Sequence, residues 1–322
     1  MNIETAFRKV VLGHGSGGRL SRELVEQVFL KSFYNPSLLA LEDAAEVGIP
    51  GATLAFTTDS YVVTPVEFPG ADIGRVAVCG TVNDLAVKGA RPLALSAGFI
   101  LEEGFPGDLL LRLTASMRRA ADEAGVSIVT GDTKVVEKGK ADGIFINTSG
   151  IGLIPRGRSL RSSAVKAGDV IIVSGELADH GVAVMNARDR LGLEGAIKSD
   201  AAPLNGLVEA ALKVPGARAM RDITRGGLAT VLNEVSGACG LTAEVDEEAL
   251  PVSAATRNAC ALLGLDPMYV ANEGKMAVFA APAAAPGILK AMRSHRYGRK
   301  AAIVGRMLKE KNPGFAYYIG YT

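Results

Sequence analysis

ATLAFTTDSYVV, residues 52–63, and DIGRVAVCGTVNDLAVKG, residues 72–89, are the stretches on which the fold turns. The first reads as a strand, a strand end and a strand again, with Asp59 closing LAFTTD among the hydroxyls of Thr57, Thr58 and Ser60. The second has helical spacing, Asp72 placed to cap its start and Gly89 to stop it. Asn83 and Asp84 interrupt that otherwise apolar helix. A carboxylate at the end of an apolar strand, or inside an apolar helix, costs free energy unless it meets a partner or a polar cleft. Both segments therefore aim acids at something.

Working outward, residues 19–34 place Leu20, Leu24, Val28 and Leu30 near one helical face, and Asn35-Pro36 stops that helix. Residues 92–101 read as a strand, 107–125 as a helix, VSIVTGD as a short buried strand ending in Asp132, and IFINTSGIGLI as a longer strand. Residues 155–168 turn basic and polar and read as an interdomain connection. A second series follows: strand VIIVSGE, helix DHGVAVMNAR, a helix over about 202–213 and helix GLATVLNEVSGACG. Strand LTAEVDE, helix AATRNACALLG, strand EGKMAVFAAP, helix PGILKAMRSH and strand AAIVGRML complete it. Mixed strands and helices in both halves predict α+β layers in two domains, 1–157 and 158–322. Neither a Gly-x-Gly-x-x-Gly after an early strand nor a Walker lysine motif is present.

Five acids, Asp43, Asp59, Asp84, Asp132 and Asp222, sit where apolar runs meet turns. Carboxylates from separate elements suit Mg²⁺, a hard cation that commonly bridges to nucleotide phosphates. Gly15, Ser16, Gly17 and Gly18, ahead of a helix, read equally as an anion cradle or a linker, and His14 as a polar loop residue. Asp43 beside Glu42 is either a ligand or part of a solvated loop. Lys134, two residues after Asp132, offers a compact cation for phosphate. Asp222-Ile223-Thr224-Arg225-Gly226-Gly227 opens a helix, where Asp222 is a cap or a ligand and Arg225 adds anion-binding character. Glu273, just before a strand, is a general base if its surroundings raise its pKa, and otherwise a turn residue. The set points to ATP handling.

Taken together, HGSGG, FTTDSYVVTPVEFPGADIG, CGTVNDLAVKGARP, IVTGDTKVV, SGELADHG, DITRGG and ANEGK resemble, in order and spacing, the HypE family of hydrogenase maturation factors. The resemblance covers about residues 10–310, and the parent superfamily is the AIR-synthase-like, or PurM-like, ATP-binding proteins. It implies two α+β domains of PurM-like fold, with the N-terminal sheets pairing into a barrel across a homodimer. It implies ATP and Mg²⁺ near that interface, with Asp43, Asp59, Asp84, Asp132 and Asp222 at the metal and nucleotide positions. Asn83 and Arg225 would help bind the nucleotide, and Lys134 and Glu273 would be the catalytic pair. The implied reaction is carbamoyl dehydration. A carbamoyl group received from HypF on a terminal cysteine is phosphorylated and loses phosphate, leaving a thiocyanate whose cyanide passes to the iron on HypC–HypD.

The family closes with Pro-Arg-Ile-Cys, whereas this sequence ends NPGFAYYIGYT and has no cysteine after Cys260. The expectation is a truncated or frame-shifted copy that keeps the ATP site but cannot carry the carbamoyl group itself. Two alternatives stand beside it: a PurM-like ATP-dependent kinase or ligase for a free small molecule, and a non-catalytic docking partner of maturation factors. Bulk composition narrows the field. Lys plus Arg is 35 against 34 for Asp plus Glu, so nothing asks for nucleic acid or an anionic membrane. Three widely spaced cysteines argue against a disulfide framework, and the chain has neither a secretory signal nor a long apolar run, so a cytoplasmic location is expected.

Overall fold

The computed structural model describes residues 9–33, 35–193 and 197–309, and the backbone of 316–319. Three short helices come first: α1 (Gly18–Leu24), α2 (Leu30–Ser32) and α3 (Pro36–Leu39). A wider π-type turn over Val25–Phe29 interrupts the helix expected across 19–34. Asn35 accepts the Leu38 N–H at 2.9 Å, so it caps a new turn as well as ending the old one.

β1 (Ala45–Ile49) and β2 (Ala52–Tyr61) form an antiparallel hairpin, and from Leu54 onward β2 alternates sides as a strand covered on one face does. The short strands β3 (Glu67–Phe68) and β4 (Ala71–Asp72) lead into α4 (Ile73–Val87). There Asp72 caps the helix, accepting the Arg75 N–H at 2.9 Å. β5 (Arg91–Glu102), α5 (Gly107–Ala124), β6 (Ser127–Val136) and β7 (Ile144–Ile154) complete a five-stranded sheet of order β1-β2-β7-β5-β6. Only β5 and β6 run parallel, because α5 serves as their crossover. Helices α4 and α5 cover one face, packing Ile73, Ala77, Leu113 and Met117 against Leu95, Ile144 and Ile146. The other face is open and carries exposed Val47, Phe56, Ile100 and Ile151.

The second sheet takes β8 (Val170–Val173), β9 (Ala217–Asp222), β10 (Thr242–Asp246), β11 (Met276–Ala280), β12 (Ala302–Leu308) and β13 (Ala316–Ile319) in the order β13-β10-β12-β8-β11-β9. Its helices are α6 (Asp179–Asp189), α7 (Asn205–Leu212), α8 (Gly227–Cys239), α9 (Ala254–Leu263) and α10 (Ala285–Arg293). Alternate residues serve opposite faces. Ile171 and Phe279 meet Leu228 and Leu232 of α8, while Ile172 and Val278 meet Leu207 of α7 and Ile288 of α10.

α4 joins the two halves. It packs on β2 and β7 on one side and on α7 and β9 on the other, which explains a helix apolar all round. Two local expectations need correction. The strand through Asp132 is not buried: β6 is an edge strand, ten residues long and open along nearly its whole length. Asp222 does not open a helix either; it ends β9, and α8 starts at Gly227. The N-terminal residues 1–8 and most of the segment after Lys309 lie outside the described residues, and with them the expected loss of a cysteine-ended tail. Among the described residues, no helix is long and apolar enough to cross a membrane.

Candidate functional site

The inward face of β2 presents Thr57, Asp59 and Tyr61 toward α4, which brings Asp84 from its last turn. The Thr57 hydroxyl lies 2.7 Å from Asp84 Oδ2 and 3.0 Å from the Asp43 carbonyl, tying the loop before β1 to both elements. β9 adds Arg221 and Asp222 from the other half. Arg221 Nε stands 2.7 Å from Asp43 Oδ1, an ion pair whose alignment falls short of a hydrogen bond, and Arg221 donates to Glu234 Oε2 at 2.7 Å. With Gly15 and Gly17, all of these groups except Tyr61 line a cavity of about 390 Å³. A larger cavity of about 670 Å³ shares Gly15, Asp59, Thr224 and Arg225 with it, and is walled by Ser16, Tyr61, His180, Met185 and Glu273.

Electrostatics mark the region as unfinished. Burial, then the charges of Asp222, Asp59 and Asp43, drive the Asp84 carboxyl well above the ordinary range. Burial and Asp43 do the same to Asp222, against the pull of Arg221. Asp43 is raised by burial to about 6 although Arg221 opposes it. Burial, with Asp222, Asp200 and Asp59, pushes Glu273 well up too. The Tyr61 hydroxyl, 3.3 Å from Asp59 Oδ2, is raised by burial and by the same acids. One guanidinium, Arg221, thus serves several crowded carboxylates, and a further cation in the cavity would relieve them. Among the described residues, no three His, Cys, Asp or Glu side chains come close enough to form a metal cage. The donor set fits Mg²⁺ in its usual manner, one or two carboxylates completed by water and phosphate.

Asp43, Asp59, Asp84 and Asp222 are thus brought together, with Gly15, Gly17 and Arg225 beside them. The Arg225 guanidinium donates to the Gly15 carbonyl at 3.0 Å, and a Cβ on Gly17 would stand 3.0 Å from the Arg225 carbonyl oxygen, so the two segments lie in contact. Ser16 faces the larger cavity, and Gly18 lines neither. Asn83 departs from the expected nucleotide contact. Its amide donates to the Ala202 and Glu273 carbonyls at 3.1 Å and accepts the Leu204 N–H at 2.7 Å, which makes it a strut between the halves. Asp132 and Lys134 are not in the cleft. They lie on β6, three strands from β2 or about 14 Å, and their register with Gly98 and Ile100 puts them on the open face of the sheet. Sequence reasoning gave no role to Arg221, Tyr61 or Glu234. Arg221-Asp222 ahead of Ile223-Thr224-Arg225 was the available signal, a dyad of opposite charges at the end of an apolar stretch.

Two α+β halves with an acid-lined cleft between them define the AIR synthase related class. Family models for its N-terminal and C-terminal domains match residues 41–154 and 166–317. A carbamoyl dehydratase HypE of Rhodobacter capsulatus is 52% identical over 305 residues, 94% of this chain and 90% of that protein. A crystal structure of a HypE–HypF complex superposes with TM-score 0.87 at 46% identity, covering 92% of this chain and 95% of that one. A HypE crystallised with ATP gives TM-score 0.81 at 45% identity over 96% and 94%. The chain belongs to the HypE family.

Proposed function

We propose that this chain dehydrates a cysteine-bound carbamoyl group to a thiocyanate with ATP, providing cyanide for the iron of [NiFe]-hydrogenase. The observation that carries the reading is the pair of joined cavities, one walled by four aspartates and the other by Glu273, in a chain about half identical to carbamoyl dehydratases. HypF is the proposed carbamoyl donor and HypC–HypD the acceptor of cyanide; the HypE–HypF complex of a relative supports the first. The domain division is placed near residue 157.

In this reading Gly15, Gly17 and Arg225 cradle phosphates, with backbone amides and a guanidinium meeting their charge. One or two of Asp43, Asp59, Asp84 and Asp222 would hold Mg²⁺. Bound there, the ion would neutralise charge developing on the transferred phosphoryl group. The amide oxygen forms a bond to the γ-phosphorus as the bond to ADP breaks, and the nitrogen gives a proton to Glu273. Phosphate then leaves with the electron pair of the C–O bond and the second N–H proton departs, which leaves S–C≡N. Burial and the neighbouring acids raise the Glu273 pKa, which makes its carboxylate a stronger proton acceptor.

Lys134 and Asp132 enter through a second copy. The open face that bears them also bears Val47, Phe56, Ile100 and Ile151, an apolar surface suited to packing against itself in a homodimer with the barrel arrangement. Lys134 would then meet the phosphoryl group from the partner's side. The deciding experiment supplies a carbamoylated peptide ending in Pro-Arg-Ile-Cys in trans. ATP consumption that depends on the peptide, with loss of one water from its mass, is the expected result. ATP turnover only with a free small acceptor would favour the kinase alternative, and none at all the docking role.

A further inference from the structure

Glu273 sits in a loop, yet both of its peptide groups are fixed. Asp200 Oδ1 accepts its N–H at 3.0 Å, and Asn83 donates to its carbonyl at 3.1 Å. Asp200 is itself held: its Oδ2 lies 2.9 Å from Lys275 Nζ, and the two side chains are only 5% and 12% exposed. Burial disfavours a charge on Asp200, but Lys275, the Glu273 N–H and His180 together keep that carboxyl below the usual range. The residue between them must be glycine, because a Cβ on Gly274 would fall 1.9 Å from the Asp200 carbonyl oxygen. Close packing of loop on loop therefore delivers Glu273 to the larger cavity. A lone surface ion pair would be worth little, but a buried one sets geometry and leaves a charge stranded if broken.

We propose that Asp200, with Lys275 as its counter-ion, is a positioning residue that holds the Glu273 carboxylate in line with the amide nitrogen. The proposal rests on the reading of Glu273 as the proton acceptor. Asp200 touches no reacting atom; it fixes the backbone from which the acceptor projects. A displacement near 1 Å costs about 100-fold in rate, and none of residues 272–275 lines the neighbouring cavity.

The test uses the full-length protein, ATP and the carbamoylated peptide, with kcat, ATP affinity and melting temperature read together. Asp200→Ala is expected to lower kcat by about 10- to 100-fold with ATP affinity unchanged. The double variant Asp200→Asn with Lys275→Met keeps an acceptor for the Glu273 N–H and strands no charge, so it should recover most of kcat. In a Glu273→Gln background Asp200→Ala should cost nothing further, as coupled residues behave. An Asp200→Ala protein that melts earlier but keeps its kcat overturns the proposal. So does an undiminished loss in the Glu273→Gln background, which leaves Glu273 itself as the base. Full turnover by Glu273→Gln alone removes the base and this proposal together.

Discussion

At the scale of single residues, Arg221 governs the cleft. It is the cation among Asp43, Asp222 and Glu234, and with Asp43 it is about nine-tenths buried. Breaking a pair of this kind strands a charge and typically costs about 3–5 kcal/mol. Arg221→Met should therefore lower the chemical-denaturation stability of the nucleotide-free protein by that order at neutral pH, and by less in mild acid, where the acids can take up protons. Asp43 allows the sign to be checked directly. Its folded pKa of about 6 exceeds the ordinary 3.8, so the folded state holds a proton that the unfolded chain has released. The stabilising contribution is complete below about pH 4 and vanishes as pH rises through about 6. Melting curves of wild type and Asp43→Asn should consequently diverge between about pH 4 and pH 6, the wild type losing more as pH climbs. Asp84 and Asp222 shift in the same direction.

Among the elements, β6 is the one that the proposed homodimer would cover. Gly131 lets it approach β5, for a Cβ there would stand 2.2 Å from the Ala97 carbonyl oxygen. Gly131→Ala should distort the strand that presents Asp132 and Lys134, reducing stability by about 1–3 kcal/mol and weakening self-association, both measurable by denaturation and light scattering. The same strand shows where sequence reading stops. Ile128, Val129 and Val135 give the composition of a covered strand, and composition does not say which chain does the covering. α4 was legible because its spacing, cap and terminal Gly89 agree, with the cap at Asp72 as expected. β9 was not, since Ala-Arg-Ala-Met-Arg-Asp lacks the β-branched residues that announce a strand, and so Arg221 was overlooked and Asp222 assigned to a helix start. The resemblance puts Asn83 near the nucleotide, yet one helical step from Asp84 turns its amide toward residues 202–204.

For the whole molecule, the decisive question is whether one cleft draws on two chains. A mixture of Lys134→Ala and Glu273→Gln subunits answers it. If Lys134 serves its partner's cleft, each mixed dimer rebuilds one intact site, and about a quarter of wild-type turnover returns after random exchange. If Lys134 serves its own cleft, exchange restores nothing. Within one chain the halves are already fastened: Arg296 and Tyr297 both grip Glu123, Arg158 donates to the Gly89 carbonyl at 2.9 Å, and Glu42 accepts the Ser162 N–H at 2.8 Å. Among the described residues, the ten-residue edge of β6 has no such fastening. If the proposed homodimer covers that edge, dissociation on dilution would expose its ladder of amides and carbonyls to any extended peptide. Shelf life would then improve with concentration, the reverse of the ordinary experience with aggregating enzymes.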